Sequence, residues 1–291
     1  NLIIDNFISK DHCDLLINDA KNSIENYSNI IHGGRKFLPR SSEEFKKLIT
    51  KSRNWQELEK KINSEEFFKK LIKKIITESP TKYYASWLSK KNNYLSELPS
   101  IINLINYENR LKWKRLLNSK VNTVSSFKLF QLILINQIDN FYRILVSICD
   151  HFKNKRRFSL LYDYSLSNKG YEREIHRDSD SRAIVFLLYL NSIEDNIGGK
   201  LEIFESIKSK KSYDPVPSKK SVKKISEIKP IAGRLVIFLN TCKAYHAVSY
   251  MQKSEFGRHF IYGGFTLSSS LFSLARIGST KSQGTEYHLY R

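Results

Sequence analysis

The spacing of the apolar residues changes near Phe158, and this change constrains the fold more than any other feature of the sequence. Between about residues 43 and 152, apolar residues recur at helical intervals, as Phe45, Leu48 and Ile49 do. From Phe158 onward, short apolar runs follow one another with no helical stretch between them. Strands in direct succession favour an antiparallel sandwich or barrel. We therefore expect a helical part followed by a β-rich part.

Several segments of the β-rich part have the length and composition of strands. They are residues 158–164, 183–190, 201–204, 235–239, 247–250 and 259–267. Residues 184–190 are apolar without a break, which predicts a strand that is buried on both faces. Residues 206–229 hold eight lysines, two acidic residues and two prolines, and they are predicted to form a polar loop between strands.

The N-terminal segment predicts a strand followed by a helix. Residues 2–8 have the composition of a strand, and Ser9 is a suitable N-cap for a helix that begins after it. The apolar residues of that helix fall on one face: Cys13, Leu16, Ile17, Ala20 and Ile24. His12 and Asp14 also belong to this helix, but residues two apart on a helix point about 200° away from each other. This His-x-Asp pair is therefore not expected to hold a metal ion.

The composition indicates a folded protein with a basic surface. At 291 residues, 41% of them apolar, the chain is long enough for one large domain or for a domain with an insertion. Its 49 Lys and Arg against 29 Asp and Glu give a net charge of +20, which raises nucleic acid, an acidic peptide or an anionic small molecule as partners. Abundant Lys, Asn and Ile are also what an A/T-rich coding sequence produces. Net charge alone therefore does not identify a partner.

The sequence predicts a soluble, cytoplasmic protein. It has no run of about eighteen apolar residues that could cross a membrane, and its first residues lack the basic and apolar regions of a signal peptide. The three cysteines, Cys13, Cys149 and Cys242, are odd in number and far apart, which suits reduced thiols in a cytosol. We expect no membrane partner, and the oligomeric state is not defined by the sequence.

Three residues of the β-rich part form a candidate metal site. Two imidazoles and one carboxylate on one face can hold a transition-metal ion and leave its other coordination positions open. His176 and Asp178 are two residues apart, a spacing that projects both side chains to one side at a strand end. His246 is the candidate third ligand from a distant strand. A His-x-Asp pair is weak support by itself, so the specificity lies in the flanking residues.

The order of these features resembles the prolyl 4-hydroxylase-like branch of the iron(II)/2-oxoglutarate dioxygenases. His176-Arg177-Asp178 is followed by an apolar strand, by glycine turns at Gly198-Gly199 and Gly233, by His246 and then by a lone Arg258. The segment Ile-Asp-Asn-Phe-Ile-Ser, residues 4–9, is similar to the entry segment of the same branch. The resemblance implies an α+β fold, with a double-stranded β-helix (jelly-roll) core and a large α-helical insertion.

The resemblance also implies cofactors and roles for further residues. Such enzymes use Fe(2+), 2-oxoglutarate and O2, with ascorbate in support, and they release succinate and CO2 as they hydroxylate an unactivated C–H bond. Arg258 would pair with the far carboxylate of 2-oxoglutarate, and Tyr189 would donate its hydroxyl to that carboxylate. Tyr162 resembles the family tyrosine on the strand before the His-x-Asp turn, although both tyrosines also suit an ordinary core. His259, next to Arg258 on a strand, is expected to face away from the cosubstrate.

Other functions of the same scaffold differ from this one in named residues. A halogenase of this fold has glycine or alanine in place of the carboxylate, so Asp178 argues against it. The nucleic-acid demethylase branch carries a second arginine six residues after the first, whereas this chain has Gly264 there, so nucleic acid is not the expected partner. A non-catalytic jelly-roll binding module would not need iron. The substrate stays open between a peptide side chain, an amino-acid-like small molecule and an intermediate of natural-product synthesis.

These features divide the chain into four parts. Residues 1–42 are assigned to the N-terminal strand and helix of the oxygenase fold, 43–157 to an α-helical insertion or lid, 158–270 to the jelly-roll catalytic core and 271–291 to a C-terminal tail. The insertion and the lysine-rich segment 206–229 are expected to set the choice of substrate, because connections at the mouth of a jelly roll are free to vary.

Overall fold

Helices precede the main run of strands, as the change in apolar spacing predicts. The computed structural model of the chain describes residues 2–26, 30–31, 34–78, 91–95, 155–178, 182–207, 216–240, 244–252 and 254–267, with isolated positions between 134 and 153. The helices are α1 (Lys10–Asn26), α2 (Glu43–Lys51), α3 (Arg53–Ile62) and α4 (Glu65–Glu78). The strands are β1 (Leu2–Ile4), β2 (Ile30–Ile31), β3 (Arg35–Pro39), β4 (Lys91–Leu95), β5 (Lys155–Ser167), β6 (Arg173–His176), β7 (Arg182–Tyr189), β8 (Leu201–Ser206), β9 (Val222–Ile228), β10 (Leu235–Leu239), β11 (Tyr245–Val248) and β12 (Arg258–Leu267).

The strands form two sheets that pack face to face around an apolar interior. The large sheet has the strand order β1-β10-β7-β12-β5-β3-β2, and the short β4 runs parallel to one end of β5. The small sheet has the order β6-β11-β8-β9 with antiparallel pairing throughout. Leu201 and Ile228 of the small sheet pack against Val185 and Phe260 of the large sheet. This arrangement is the predicted jelly-roll core.

Helices α1 to α4 cover the other face of the large sheet. The ring of Trp55, which is fully buried, packs edge-on against Tyr164 of β5, and its indole N–H donates to the carbonyl oxygen of Leu16 at 2.9 Å. Phe68 of α4 contacts Phe158 of β5 in the same layer. The predicted apolar faces of these helices are therefore confirmed as core. No helix in the described part of the chain is long and apolar enough to cross a membrane.

Alternation along the strands of the large sheet separates the two apolar layers. In β7, even-numbered residues from Ile184 onward face the helices, and odd-numbered residues from Val185 onward face the small sheet. All positions of β7 after Arg182 are buried. The prediction that this segment is covered on both faces is thus confirmed.

Two expected connections contain strands instead. Residues 222–228 of the predicted loop 206–229 form β9, which pairs with β8 at the edge of the small sheet. This strand is missed because its five central residues are all exposed, so that it lacks the alternation of a half-buried strand. Residues 91–95 of the predicted helical insertion form β4. The predicted tail, 271–291, lies outside the described residues.

Candidate metal centre

Two histidines face each other across a pair of strands in the small sheet. Strands β6 and β11 are antiparallel, and His176 is directly opposite His246 in their register. Opposed residues on one face of a sheet are neighbours, and here the centres of the two imidazole rings lie 4.4 Å apart. Strand pairing thus joins two residues that are far apart in the sequence.

Main-chain hydrogen bonds orient both imidazoles. His176 Nδ1 lies 2.7 Å from the carbonyl oxygen of Glu174, and His246 Nδ1 lies 3.0 Å from that of Ala244. A carbonyl oxygen only accepts, so each Nδ1 carries the proton and donates it. Each Nε2 then keeps a lone pair, which is how a neutral histidine with a supported ring binds a metal ion.

Asp178 follows β6 and completes the cluster. Its Oδ1 lies 3.9 Å from His176 Nε2, and its Oδ2 lies 3.9 Å from His246 Nε2. The Tyr262 hydroxyl donates to Oδ1 at 2.5 Å, whereas Oδ2 is buried and has no hydrogen-bond partner among the described residues. Asn240 Nδ2 donates to the main-chain oxygen of Asp178 at 3.3 Å, which fixes the backbone. Asp178 thus keeps one buried carboxylate oxygen available to a cation.

The three side chains fit a single transition-metal ion. One ligand atom from each of His176, Asp178 and His246 lies within 4.8 Å of the other two, and the described residues hold no other group of this kind. Two ligand bonds of about 2.1 Å to one ion span at most about 4.2 Å, so the cluster closes on an ion with a small inward shift. Two imidazoles and one carboxylate on one face leave further positions open, as oxygen-activating iron(II) sites do.

Burial and neighbouring charges set the protonation of the cluster. Burial, with a smaller effect of the nearby His246, lowers the pKa of His176 to about 4, so its imidazole is neutral at pH 7. Burial alone would raise the pKa of Asp178, but His246, Arg182 and the hydrogen bond from Tyr262 together lower it below its ordinary value. A neutral imidazole and an ionised carboxylate are the forms that bind metal.

Arg258, at the start of β12, is buried without a counter-ion among the described residues. Its exposed fraction is 0%, and its guanidinium carbon lies 4.2 Å from the ring centre of Phe260 and 5.1 Å from that of Tyr189. None of its guanidinium nitrogens has a hydrogen-bond partner among the described residues, and neither does the Tyr189 hydroxyl. Burial raises the pKa of Tyr189, which keeps this hydroxyl a donor. A buried guanidinium needs a paired anion, and its planar fork suits a carboxylate.

His259 points away from Arg258, as the alternation of a strand predicts. Its Nε2 donates to the carbonyl oxygen of Phe256 at 2.9 Å, and its Nδ1 accepts from the Tyr164 hydroxyl at 2.7 Å. Tyr164 belongs to the layer between the large sheet and the helices. His259 is therefore structural.

Tyr162 does not lie with Arg258, and its expected role in binding 2-oxoglutarate is wrong. Its hydroxyl donates to Glu59 of α3, and its ring packs edge-on against Phe45 of α2. The physical reason is again alternation. In the register of β5 and β12, Tyr162 is opposite Gly263, which has the parity of the helix-facing residues of β12.

Helices α2 to α4 do not cover the metal cluster. They pack on the face of the large sheet opposite the small sheet, whereas the cluster lies on the small-sheet side. The prediction that residues 43–78 form part of a lid is therefore wrong. Most of its remaining residues, 79–157, lie outside the described part of the chain.

Four polar residues near the carboxylate ligand are missed by the sequence analysis. Tyr262 donates to that ligand, and the guanidinium carbon of Arg182 lies 4.6 Å from the Tyr262 ring centre. The guanidinium carbon of Arg35 lies 5.1 Å from the same ring centre, and this arginine forms an ion pair with Asp163. Tyr262 alone had a usable signal, since its even spacing from Arg258 places both on one strand face.

Comparison with protein families agrees with this geometry. Residues 153–265 match the model of the 2OG-Fe(II) oxygenase superfamily. The matched segment contains the three members of the metal cluster and Arg258. No curated protein sequence matches the chain.

The solved structures to which the chain is similar include prolyl hydroxylases from several organisms. The prolyl-4-hydroxylase of Pseudomonas putida has a TM-score of 0.39 and 13% identity, covering 91% of this chain and 91% of that chain. The prolyl hydroxylase of Trichoplax adhaerens, in complex with a peptide of the hypoxia inducible factor oxygen degradation domain, has a TM-score of 0.40 and 13% identity, with 91% and 82% covered. A prolyl 4-hydroxylase of Phytophthora capsici has a TM-score of 0.43 and 13% identity, with 99% and 68% covered.

Proposed function

We propose that this 2-oxoglutarate-dependent dioxygenase, whose residues 153–265 match the model of the 2OG-Fe(II) oxygenase superfamily, hydroxylates an unactivated C–H bond of a peptide side chain or an amino-acid-like small molecule, releasing succinate and CO2. The observation that supports this most is the cluster of His176, Asp178 and His246, in which Asp178 Oδ2 is buried without a partner among the described residues. A buried carboxylate oxygen between two oriented imidazoles fits a bound cation.

In this proposal, His176 Nε2, His246 Nε2 and Asp178 Oδ2 would hold iron(II). The hydrogen bonds from both Nδ1 atoms to main-chain carbonyl oxygens keep the rings turned toward the common centre. The hydrogen bond from Tyr262 occupies Asp178 Oδ1, so the carboxylate offers its other oxygen. The side chains are thus oriented before the ion arrives, which reduces the free energy needed to order them.

Arg258 and Tyr189 would bind the far carboxylate of 2-oxoglutarate. Both side chains are buried and present donors that have no partner in the described part of the chain. The rings of Phe260 and Tyr189 flank the guanidinium and keep water from competing for it. With iron(II), 2-oxoglutarate supplies the activation of O2 that C–H hydroxylation needs, while the protein supplies binding, orientation and a dry site.

An anaerobic titration tests this function. The full chain is mixed with iron(II) and then with 2-oxoglutarate, and the visible absorption is recorded. We expect a weak charge-transfer band that requires both additions, that is lost in His176→Ala and His246→Ala, and that is retained in the control His12→Ala on α1. Absence of the band in the folded wild type, or its persistence in both ligand variants, would contradict the proposal.

Two alternatives remain distinguishable from this proposal. A jelly-roll binding module would show no band and no succinate, and it would leave the unpartnered donors of Arg258 without an explanation. A tailoring oxygenase for natural-product intermediates would show the band but would act only on such intermediates. Mass spectrometry of candidate extracts, incubated with and without 2-oxoglutarate, separates these substrates. We propose a cytoplasmic location, because Cys13 and Cys149 are free thiols.

A further inference from the structure

A second arginine lies beside the metal cluster and plays no part in the proposed binding of 2-oxoglutarate. Arg182 begins β7, and its aliphatic stem crosses the bare backbone of Gly264, where an added Cβ would lie 2.9 Å from Arg182 Cδ. Its guanidinium then rests on the ring of Tyr262, 4.6 Å from the ring centre. The absence of a side chain at Gly264 thus allows Arg182 to reach toward the hydroxyl that supports Asp178.

The nearby anions are already committed to other groups. Asp163 forms an ion pair with Arg35 and also accepts from the Ser165 hydroxyl. Asp178 accepts from Tyr262 through Oδ1, and its Oδ2 faces the histidines. Among the described residues, no hydrogen bond and no ion pair within 4 Å involves the Arg182 guanidinium; it lies over the Tyr262 ring and interacts through space with the carboxylates of Asp178 and Asp163. A cation–π contact involves no hydrogen-bond acceptor, so the guanidinium N–H groups can still donate to an anion.

The guanidinium groups of Arg182 and Arg258 lie at two separate places along β12. The Arg258 guanidinium lies on Phe260 and that of Arg182 lies on Tyr262, and these rings are successive side chains on the same strand face, about 7 Å apart at their Cα atoms. A 2-oxoglutarate that runs from Arg258 to the metal cluster therefore approaches from the Phe260 side. Arg182 is half-buried and lies on the Tyr262 side, where a second molecule can reach it.

We propose that Arg182 binds a carboxylate of the substrate, so that the enzyme selects anionic substrates. This inference rests on the proposed dioxygenase function and specifies its substrate class. A planar guanidinium held against a ring offers a two-point contact to a carboxylate, and Arg35 adds positive charge on the same ring. Such an anchor next to Asp178 would set which C–H bond of the substrate faces the metal. The carboxylate belongs either to a free amino-acid-like molecule or to an acidic side chain of a peptide.

Paramagnetic relaxation tests this site without turnover. The full chain is loaded with Mn(II), which accepts the same oxygen and imidazole ligands, and it is saturated with 2-oxoglutarate. Relaxation of acetyl protons is then measured for N-acetyl-L-alanine, for N-acetyl-L-aspartic acid α-amide and for the uncharged N-acetyl-L-alanine amide. The first probe carries a terminal carboxylate and the second a side-chain carboxylate, so the pair separates the two sources.

We expect enhanced relaxation for at least one of the two acids and none for the uncharged amide. Arg182→Gln should weaken the apparent affinity for that acid about tenfold or more, because a charge-assisted pair is lost. Arg182→Lys keeps the charge but not the planar fork of the guanidinium, so its affinity for that acid should lie between those of the wild type and Arg182→Gln. The control Arg53→Gln removes one arginine from the exposed surface of α3, 89% of whose side chain is exposed, and should behave as wild type.

The inference is overturned if the wild type enhances the relaxation of the acids no more than that of the amide. It is also overturned if the enhancement for the acids is the same in Arg182→Gln as in the wild type, since the acids would then bind elsewhere or on the ion itself. Arg182→Lys gives the same decision if the glutamine variant does not fold. Failure of the dioxygenase proposal looks different. In that case Mn(II) uptake, seen by relaxation of water protons, or 2-oxoglutarate binding, seen by relaxation of its own methylene protons, is absent in the wild type.

Discussion

Replacement of Tyr262 by phenylalanine isolates the hydrogen bond that supports the carboxylate of the metal cluster. The Tyr262 hydroxyl donates to Asp178 Oδ1 at 2.5 Å, and burial, with a further effect of Asp178, raises its pKa far above the ordinary value, so it remains a donor at any working pH. Phenylalanine keeps the ring on which Arg182 and Arg35 rest. The change therefore removes one hydroxyl and leaves the cation–π contacts in place.

The expected loss follows from the surroundings of the two groups. A hydrogen bond to a charged acceptor contributes about 1.5–3 kcal/mol. Asp178 is only 8% exposed but Tyr262 is half-buried, so water can replace part of the lost contact, and we expect a value near the lower limit. About 1.4 kcal/mol corresponds to a tenfold weaker affinity for the metal ion. This value lies within the 10–100-fold range typical of groups that support a metal ligand.

A titration of the full chain with Mn(II) at pH 7, followed by relaxation of water protons, measures this affinity. Tyr262→Phe is compared with the wild type and with Tyr250→Phe, a matched change at a residue that is 47% exposed. Asp178→Asn gives the response to loss of the ligand itself. If Tyr262→Phe binds Mn(II) within twofold of the wild type while Asp178→Asn does not bind, the hydrogen bond does not orient the carboxylate and the reasoning is refuted.

Three further changes test other parts of the site and of its scaffold. Arg258→Lys should raise the KM for 2-oxoglutarate because it keeps the charge without the two-point contact, and Arg258→Ala should lose about 2–5 kcal/mol of transition-state stabilisation. Both effects are measured from the rate of succinate formation at increasing 2-oxoglutarate concentration. An unchanged KM in the alanine variant would contradict the assignment of Arg258. Gly199→Ala should also raise the KM for 2-oxoglutarate, because the added Cβ would lie 3.2 Å from Arg258 Cδ and 3.1 Å from Met251 Cγ at a φ of +69°. A KM equal to that of the wild type would mean that the Arg258 side chain adapts freely to the added Cβ. His259→Gln should reduce the loss of stability in acid, because burial lowers the pKa of His259 from 6.5 to about 4. Between these pH values the unfolded chain binds a proton that the folded chain does not, so the free energy of unfolding of the wild type falls by up to about 3 kcal/mol as the pH is lowered through this window. Urea unfolding at pH 7 and pH 4.5 measures this loss, with His12→Gln as the control. Equal losses in the wild type and both variants would rule out a contribution of His259.

The main strands and the helical faces were predictable because both have strong apolar periods. The buried positions of α1, such as Leu16 and Ala20, recur at helical spacing, and β7 is apolar at every position after Arg182. β9 gave no such signal. As an edge strand with five exposed residues in a row, it has the composition of a loop, and only its pairing with β8 defines it.

The three residues of the metal cluster could be named from the sequence because their spacing reflects strand geometry and because the resemblance supplied the distant histidine. Tyr162 could not be assigned correctly by resemblance alone. Its side depends on the register between β5 and β12, in which it is opposite Gly263, and a shift by one residue would turn it toward the small sheet. Composition contains no information about that register.

Arg35 and Arg182 illustrate a different reason for failure. Both are long side chains from separate strands, and both reach the same ring, that of Tyr262, from segments more than a hundred residues apart in the sequence. In the sequence, each is one of many basic residues in a chain with a net charge of +20. Only the fold distinguishes a guanidinium that lies beside Asp178 from one in solvent.

Alternation in β12 couples the stability of the fold to the geometry of the site. Arg258, Phe260 and Tyr262 face the small sheet, while the residues between them, His259 and Ile261, pack toward the helices. A side chain that faces the site cannot shift along the strand unless its neighbour leaves the close-packed helical layer. Helices α1 to α4 do not cover the metal cluster, yet they hold in place the strand that carries Arg258 and Tyr262. This is why the donors of the site can remain oriented while they have no partner within the described residues.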